Sequence, residues 1–351
     1  MHTCHNHLHC FLPPHVLDRL LESDDEEIRR LALDAIKRSA AARAMRLTLS
    51  RMPIMAAIPS PAATKYRLVY DMNHINLMQL LPGKLVRSEG DSPVSDEAAN
   101  EAYDYSGVTY DFYKEIFNRN SLDDRGMSLI SSVHFGTRFN NAFWNGEQMV
   151  YGDGDGSLFI RFTKALDVVA HELTHGVVQH TSNLQYLNES GALNEHFADA
   201  MSALVKQWHL KQDVTQADWM LGDAIMGSRV TAKCLRTFKA EKAYENDPIL
   251  GTDPQPKHMK DKYTGFDDNG GVHINSGIPN HAFYLVAMEL GGNAWEKVGP
   301  IWYQTLKNLN QFSDFQEAAS MTNEVAGTMF GTGSIEQQAV KKAWDGVGIT
   351  V

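Results

Sequence analysis

At 351 residues, 43% of them hydrophobic and 21% charged, the chain is long enough to build one large domain or two medium ones around a substantial core. No apolar run approaches the ~18 residues a membrane helix needs, which excludes a membrane span, and a formal charge of -11 disfavours nucleic acid and anionic lipid as partners. Cys4, Cys10 and Cys234 are too few and too unevenly placed for a disulfide framework, and Cys234 reads as a packed free thiol.

Residues 1–15 are rich in histidine and lack the basic start, continuous apolar stretch and small-residue site of a classical secretory signal. The expectation is therefore cytoplasmic synthesis, with export by another route left open. After Pro13-Pro14, the spacing of Val16, Leu17, Leu20 and Leu21 predicts a short amphipathic helix. Ser23 and Glu26 have capping-box spacing, and Ile28, Leu31, Ala35 and Ile36 line one face of a second helix to about Arg43. From about Ser50 to Thr64 the chain turns to small residues and prolines, the composition of an exposed tether open to proteases.

The next hundred residues read mostly as strands: Tyr66 to Asp71, Lys84 to Val86 after a Pro82-Gly83 turn, and Ser128 to Phe135. Asn145-Gly146 predicts a two-residue hairpin between Ala142-Phe143-Trp144 and Gln148 to Tyr151. One helix interrupts, over 96–118 behind Ser95 as cap. Beyond Lys164 the periodicity is helical, near 166–181, 191–209, 278–290, 294–309, 313–327 and 335–345. Strands followed by helices predict an α+β protein in two lobes with a cleft between them.

The first of these helices carries His171-Glu172-Leu173-Thr174-His175. Residues four apart share a face, so both imidazoles can bind one zinc ion while Glu172 reaches the open coordination position. Leu166, Val168, Val169, Leu173 and Val177 give the segment a helical core face. A zinc hydrolase keeps three protein ligands, and Glu195, 20 residues after His175 and beyond the Gly191 turn, is the candidate third. Asp199 follows one turn later, placed to accept the free N–H of a ligating imidazole.

With these residues in view the chain resembles the thermolysin family of zinc metallopeptidases. The likeness rests on Asn141 to Gly146, Met149 to Gly156, Asp167 to His175, Asn188 to Glu195 and Asp268 to Gly277, in the family's order, and covers roughly residues 65–351. Phe11-Leu12-Pro13-Pro14-His15 further resembles the protealysin-like branch, whose pro-segments are short. The resemblance implies a propeptide over residues 1–50 and a processing linker over 51–64. It implies a β-rich catalytic lobe over 65–180 ending in the zinc-binding helix, and an α-helical lobe over 181–351. It also implies a zymogen, with the propeptide as intramolecular inhibitor and proteins and peptides as substrates; a monomer is expected.

By the same resemblance, zinc held by His171, His175 and Glu195 activates a water from which Glu172 takes the proton. His273 and Tyr186 face the oxyanion, Asp268 orients His273, and Asn141, the backbone of Ala142 and Arg236 hold the substrate main chain. Phe159, Phe162, Val168 and Leu235 line an apolar pocket for the side chain after the scissile bond, which implies cleavage before bulky hydrophobic residues. Family members often bind calcium through a carboxylate cluster. Asp167, Asp218 and Asp223 are present here, but Lys206 and Met220 stand where acidic ligands are expected, which argues against a paired calcium site and suggests that the Lys206 ammonium replaces an ion.

Two readings of the propeptide remain at this point: a steric plug, or zinc ligation by Cys10 or a nearby histidine. Asp153-Gly154-Asp155-Gly156 lacks the later ligands of an EF-hand and the lysine of a P-loop, and reads as sheet edge and substrate cleft. A non-catalytic peptide-binding protein and an amidase acting on small substrates are the rival functions. Retention of Glu172, His273 and all three ligands argues against the first, and activity on long peptides against small amides separates the second.

Overall fold

The computed structural model describes residues 9–50 and 64–351. The proposed tether over 51–64, apart from Thr64, and the residues before His9, Cys4 included, lie outside them. The chain begins with strand β1 (His9–Cys10) and helices α1 (Pro14–Leu21) and α2 (Glu26–Ser50), then continues through β2 (Arg67–Asp71), β3 (Lys84–Ser88) and α3 (Glu97–Phe117). Strands β4 (Leu129–Val133), β5 (Ala142–Trp144) and β6 (Met149–Tyr151) precede α4 (Leu166–Gln179) and α5 (Asn188–Leu210). Two short strands, β7 (Met220–Leu221) and β8 (Arg236–Thr237), lead into α6 (Asp267–Asn275), α7 (Gly277–Leu290), α8 (Val298–Asn308), α9 (Phe315–Phe330) and α10 (Ile335–Gly346).

One mixed sheet carries the first half, in the order β1-β5-β6-β4-β2-β3. Its middle strands β6, β4 and β2 run parallel, while β3, β5 and β1 are added antiparallel. The amino-terminal segment thus supplies an edge strand, with Cys10 opposite Phe143. Helix α4 packs on α3 and β5 on one side and on α5 on the other. Burial fits that position: Val168, Val169 and Val177 are fully buried and Leu173 nearly so, each stabilising by roughly 1.5–3 kcal/mol as an upper figure.

Local chemistry corrects several sequence expectations. The cap of α2 is Asp25, whose Oδ1 accepts the amides of Glu27 (2.9 Å) and Ile28 (3.4 Å); Ser23 instead accepts from Asp25 N. Helix α2 runs on through Ser50 because an alanine-rich stretch offers no breaker until Pro53. Helix α3 is capped by Asp96, one residue after Ser95, through the amides of Ala98 and Ala99. The β5–β6 hairpin forms, but its turn centres on Gly146 and Glu147, with Gly146 at φ 105°. Asn145 stays in the ladder, its amide bonded to Gln148 O, and spends its side chain on the amides of Glu147 and Gln148.

Candidate active site

Helix α4 brings His171 and His175 to one face, where their Nε2 atoms lie 3.0 Å apart. Glu195 comes across from α5, its carboxylate 3.5 Å from each Nε2. All three side chains are fully buried. The other imidazole nitrogens are taken: His171 Nδ1 lies 2.9 Å from Asp199, and His175 Nδ1 meets Asn194 Oδ1 at 2.8 Å. Both Nδ1 atoms are therefore N–H donors, and the two Nε2 atoms turn their lone pairs toward each other. That arrangement is repulsive in a dry interior unless a cation lies between them. Two imidazoles and a carboxylate, each backed by an outer hydrogen bond, fit zinc.

Glu172 points to the same place. Its Oε2 accepts the amide of Trp144 at 2.9 Å, while its buried Oε1 has no hydrogen-bond partner among the described residues. Burial pushes its carboxyl up to about 8, which suits a group that must take and return a proton near neutrality. The Tyr186 hydroxyl donates to Glu195 and lies 3.0 Å from His273 Nε2. His273 Nδ1 is held by Asp268 at 2.6 Å. Burial by itself lowers His273, but the Glu195 and Asp268 carboxylates outweigh it and bring the imidazole up to about 9. It is set to donate from Nε2 toward negative charge.

The chain reaches this geometry through an unusual α6. Asp268, Asn269, Gly270 and Gly271 all have positive φ (53°, 53°, 81° and 80°), a run that needs Asn and Gly. The turn folds Asp268 back so that it accepts from the His273 ring and also from the backbone amides of His273 and Ile274.

The sheet edge beside the zinc donors is covered by the amino-terminal segment. Phe11 N donates to Ala142 O at 3.1 Å, Leu12 N to Asn141 Oδ1 at 3.0 Å, and Arg236 Nη1 to Phe11 O at 2.9 Å. Arg236 is itself fixed by Asp199 at 3.0 Å. His273 Nε2 meets the carbonyl of Cys10 at 3.0 Å. The Phe11 ring stands edge-on to His171, with centroids 5.2 Å apart, and under the Arg236 guanidinium.

Phe11 and Leu235 both close on Gly222, where an added Cβ would come within 3.0 Å and 3.2 Å of them. Gly222 is a neighbour of Phe11 that sequence reasoning missed, since a lone glycine carries no signal. Val168 lies on α4 one turn before the zinc motif, and Phe159 and Phe162, with ring centroids 6.2 Å apart, are fully buried in the surrounding core. Among the described residues the zinc-type donor group contains His171, His175 and Glu195 and no sulfur. Cys10 meets the site through its backbone carbonyl.

Two other features frame the site. Lys206, on α5, places its ammonium 2.7 Å from Asp223, 3.2 Å from Asp218 and 3.4 Å from Asp167 at the start of α4. Asp153 and Asp155 follow the interior strand β6. Rather than facing a substrate cleft, Asp155 caps its own turn and is held by Asn140, and Asp153 meets two histidines. Cys234 is a buried free thiol whose pKa burial pushes up to about 12.

Comparison with known proteins agrees with this geometry. Residues 61–179 match the catalytic domain of thermolysin metallopeptidase and residues 182–349 its alpha-helical domain. An extracellular metalloprotease of Pectobacterium carotovorum subsp. carotovorum is 44% identical over 343 residues, covering 97% of this chain and 96% of that protein. Protease PrtS of a Photorhabdus species is 47% identical over 293 residues, or 82% of this chain and 77% of that one. The solved precursor of protealysin, a metalloproteinase from Serratia proteamaculans, superposes with a TM-score of 0.87 at 44% identity, over 97% of this chain and all of that chain. The chain therefore belongs to the thermolysin family of metallopeptidases, in its protealysin-like branch, and is a zinc metalloendopeptidase in precursor form.

Proposed function

We propose that the protein is a latent neutral endopeptidase that cleaves on the amino side of bulky hydrophobic residues. In this reading residues 1–50 are its pro-segment, 51–64 its processing linker, and 65–180 and 181–351 its two catalytic lobes. One observation carries the reading: Cys10-Phe11-Leu12 lies along β5 as a substrate would, its carbonyl at His273, its amides on Ala142 and Asn141, and Phe11 seated between His171, Leu235 and Gly222. The segment would exclude substrate by occupying the same donors and acceptors. This favours the steric plug over a thiol ligand.

His171, His175 and Glu195 would hold the zinc, which supplies Lewis-acid polarisation of the scissile carbonyl and an acidified water. Glu172, fixed by Trp144 N–H through one oxygen, would accept the water's proton on Oε1 and return it to the leaving amine. His273 and Tyr186 would donate to the oxyanion, each contributing a few kcal/mol in a water-excluded site, with Asp268 holding the tautomer. Asn141, Ala142 and Arg236 would align the peptide, and Asp199 both orients His171 and steadies Arg236. Phe159, Phe162, Val168 and Leu235 would set the apolar pocket. The name of the Pectobacterium relative supports action outside the cell, and no described helix is long and apolar enough to cross a membrane.

The test is cleavage-site mapping by mass spectrometry on a diverse peptide mixture with the processed enzyme. Cuts should cluster before Leu, Phe and Ile, and a majority of cuts before charged residues would contradict the pocket assignment.

A further inference from the structure

The parallel core of the sheet creates a second constellation far from any role in peptide cleavage. Strands β2, β4 and β6 are neighbours running in one direction, so the residues that follow them emerge side by side. The chain places a metal donor after each: His74 after β2, His134 immediately after β4 and Asp153 after β6. His74 N bonds to His134 O at 2.9 Å and Phe135 N to Tyr151 O at 3.0 Å, which extends the ladder into these loops and fixes their heights.

We propose that His74, His134 and Asp153 form a second divalent-metal site, of the zinc class. Asp153 lies 2.9 Å from His134 Nδ1 and 3.3 Å from His74 Nδ1, close to the edge of a tetrahedron with bonds of about 2.0–2.1 Å. The catalytic donors stand at the same spacing, 3.0 to 3.5 Å. The outer arrangement is repeated as well: His134 turns its other nitrogen, Nε2, to Asp96 at 2.7 Å, as His171 does to Asp199. A carboxylate behind a ligating imidazole sets its tautomer and strengthens it as a donor. Asp96 is in turn fixed by its second oxygen, which caps α3.

The donor set selects the ion. Two nitrogens and one carboxylate suit zinc or its late first-row neighbours and not calcium, which takes oxygen ligands. The side chains of His74, His134 and Asp153 are 54%, 20% and 26% exposed, so water can complete the coordination shell and the ion can enter from solvent. The competing occupant is a proton. His134 lies between two carboxylates, Asp153 at Nδ1 and Asp96 at Nε2, so a metal ion must compete with a proton for Nδ1. Zinc here would tie the three strand ends and the cap of α3 together, stiffening the lobe without touching the catalytic donors.

The test compares the full-length chain with His74→Ala and Asp153→Asn after equilibrium dialysis against micromolar free zinc at neutral pH, with zinc counted per chain. Histidines and cysteines before residue 11 and the catalytic site are common to all three proteins, so their zinc cancels in the difference. The wild-type chain should hold one zinc more than either variant, and added zinc should raise its melting temperature by more than theirs, since the catalytic ion stabilises all three alike. His74 is half-exposed, and Asp153→Asn preserves shape, so folding is retained in at least one comparison. Equal zinc content in all three proteins would overturn the site.

Discussion

The helix pair α4–α5 faces two electrostatic problems along one interface and solves them differently. At one end Asp167 on α4 meets Lys206 on α5, and the chain's own ammonium fills the space among three carboxylates. One turn further along α4, His171 and His175 face Glu195 with their lone pairs converging and, among the described residues, no side-chain cation between them. The first site carries its own counter-cation and is structural; the second has the donors for an external ion, with Glu172 beside it. A chain that meets one carboxylate cluster with its own lysine while leaving the other donors for an ion separates stability from chemistry along a single helix interface.

The largest effect that would break this contrast lies at Glu172. Replacement by Ala should reduce peptidase activity by roughly 10²–10⁴-fold and stop self-removal of the pro-segment. Zinc content should be unchanged, because Glu172 is not among the donors. Activity and zinc lost together would return Glu172 to a structural role.

Next comes the plug. Phe11 is fully buried against His171 and Arg236, and a buried Phe→Ala change costs about 3–5 kcal/mol. Phe11→Ala should therefore weaken latency by roughly a hundredfold or more, measured as activity of the unprocessed chain on a short peptide, whereas Cys10→Ser should leave latency as it was. Reversal of the two results would favour thiol ligation of the zinc.

Lys206 gives a stability effect of similar or smaller size. Removing one partner from a fully buried ionic cluster costs about 3 kcal/mol; Asp218 and Asp223 are 37% and 32% exposed, so Lys206→Ala should lower the melting temperature by a smaller amount. Calcium should restore part of the loss in the variant and add little to the wild type. A rise of many degrees on adding calcium to the wild-type chain would contradict the lysine's role.

The smallest effect is a pH dependence of docking. His15 is half-buried against Tyr244, its Nδ1 without a hydrogen-bond partner among the described residues, and desolvation takes its pKa down from 6.5 to about 4, Asp268 opposing and His273 assisting. The docked segment thus binds fewer protons than the released one. Docking is fully supported above about pH 6.5 and weakens as pH falls toward 4, by at most about 3 kcal/mol. Release of the pro-segment from Glu172→Ala, in which cutting cannot intervene, should accelerate on acidification, and His15→Phe should flatten that dependence.

Much of this was readable from residues because the signals are local. Zinc-motif spacing, the third carboxylate on the next helix and the apolar periodicities depend on a few neighbouring positions, and α4, α5 and α7–α10 lie close to where the pattern puts them. The misses are tertiary. Caps moved by one or two residues because Asp25 and Asp96, rather than neighbouring serines, faced the free amides. The four-residue left-handed run in α6 is written as Asp-Asn-Gly-Gly and folds Asp268 under His273 locally, but the meeting of that pair with Glu195 and Tyr186 exists only once α6 packs on α5. Gly222 and the substrate-like path of Cys10 to Leu12 depend on segments more than two hundred residues apart. The convergence of His74, His134 and Asp153 likewise requires the parallel order of β2, β4 and β6.

The most direct test of the central claim is zinc X-ray absorption on the full-length Glu172→Ala chain, stripped with chelator and reloaded with one equivalent of the ion. The account predicts two imidazole nitrogens and light oxygen ligands at about 2.0–2.2 Å, and loss of one imidazole in His175→Ala. A sulfur at about 2.3 Å, or a spectrum indifferent to His175, would contradict it.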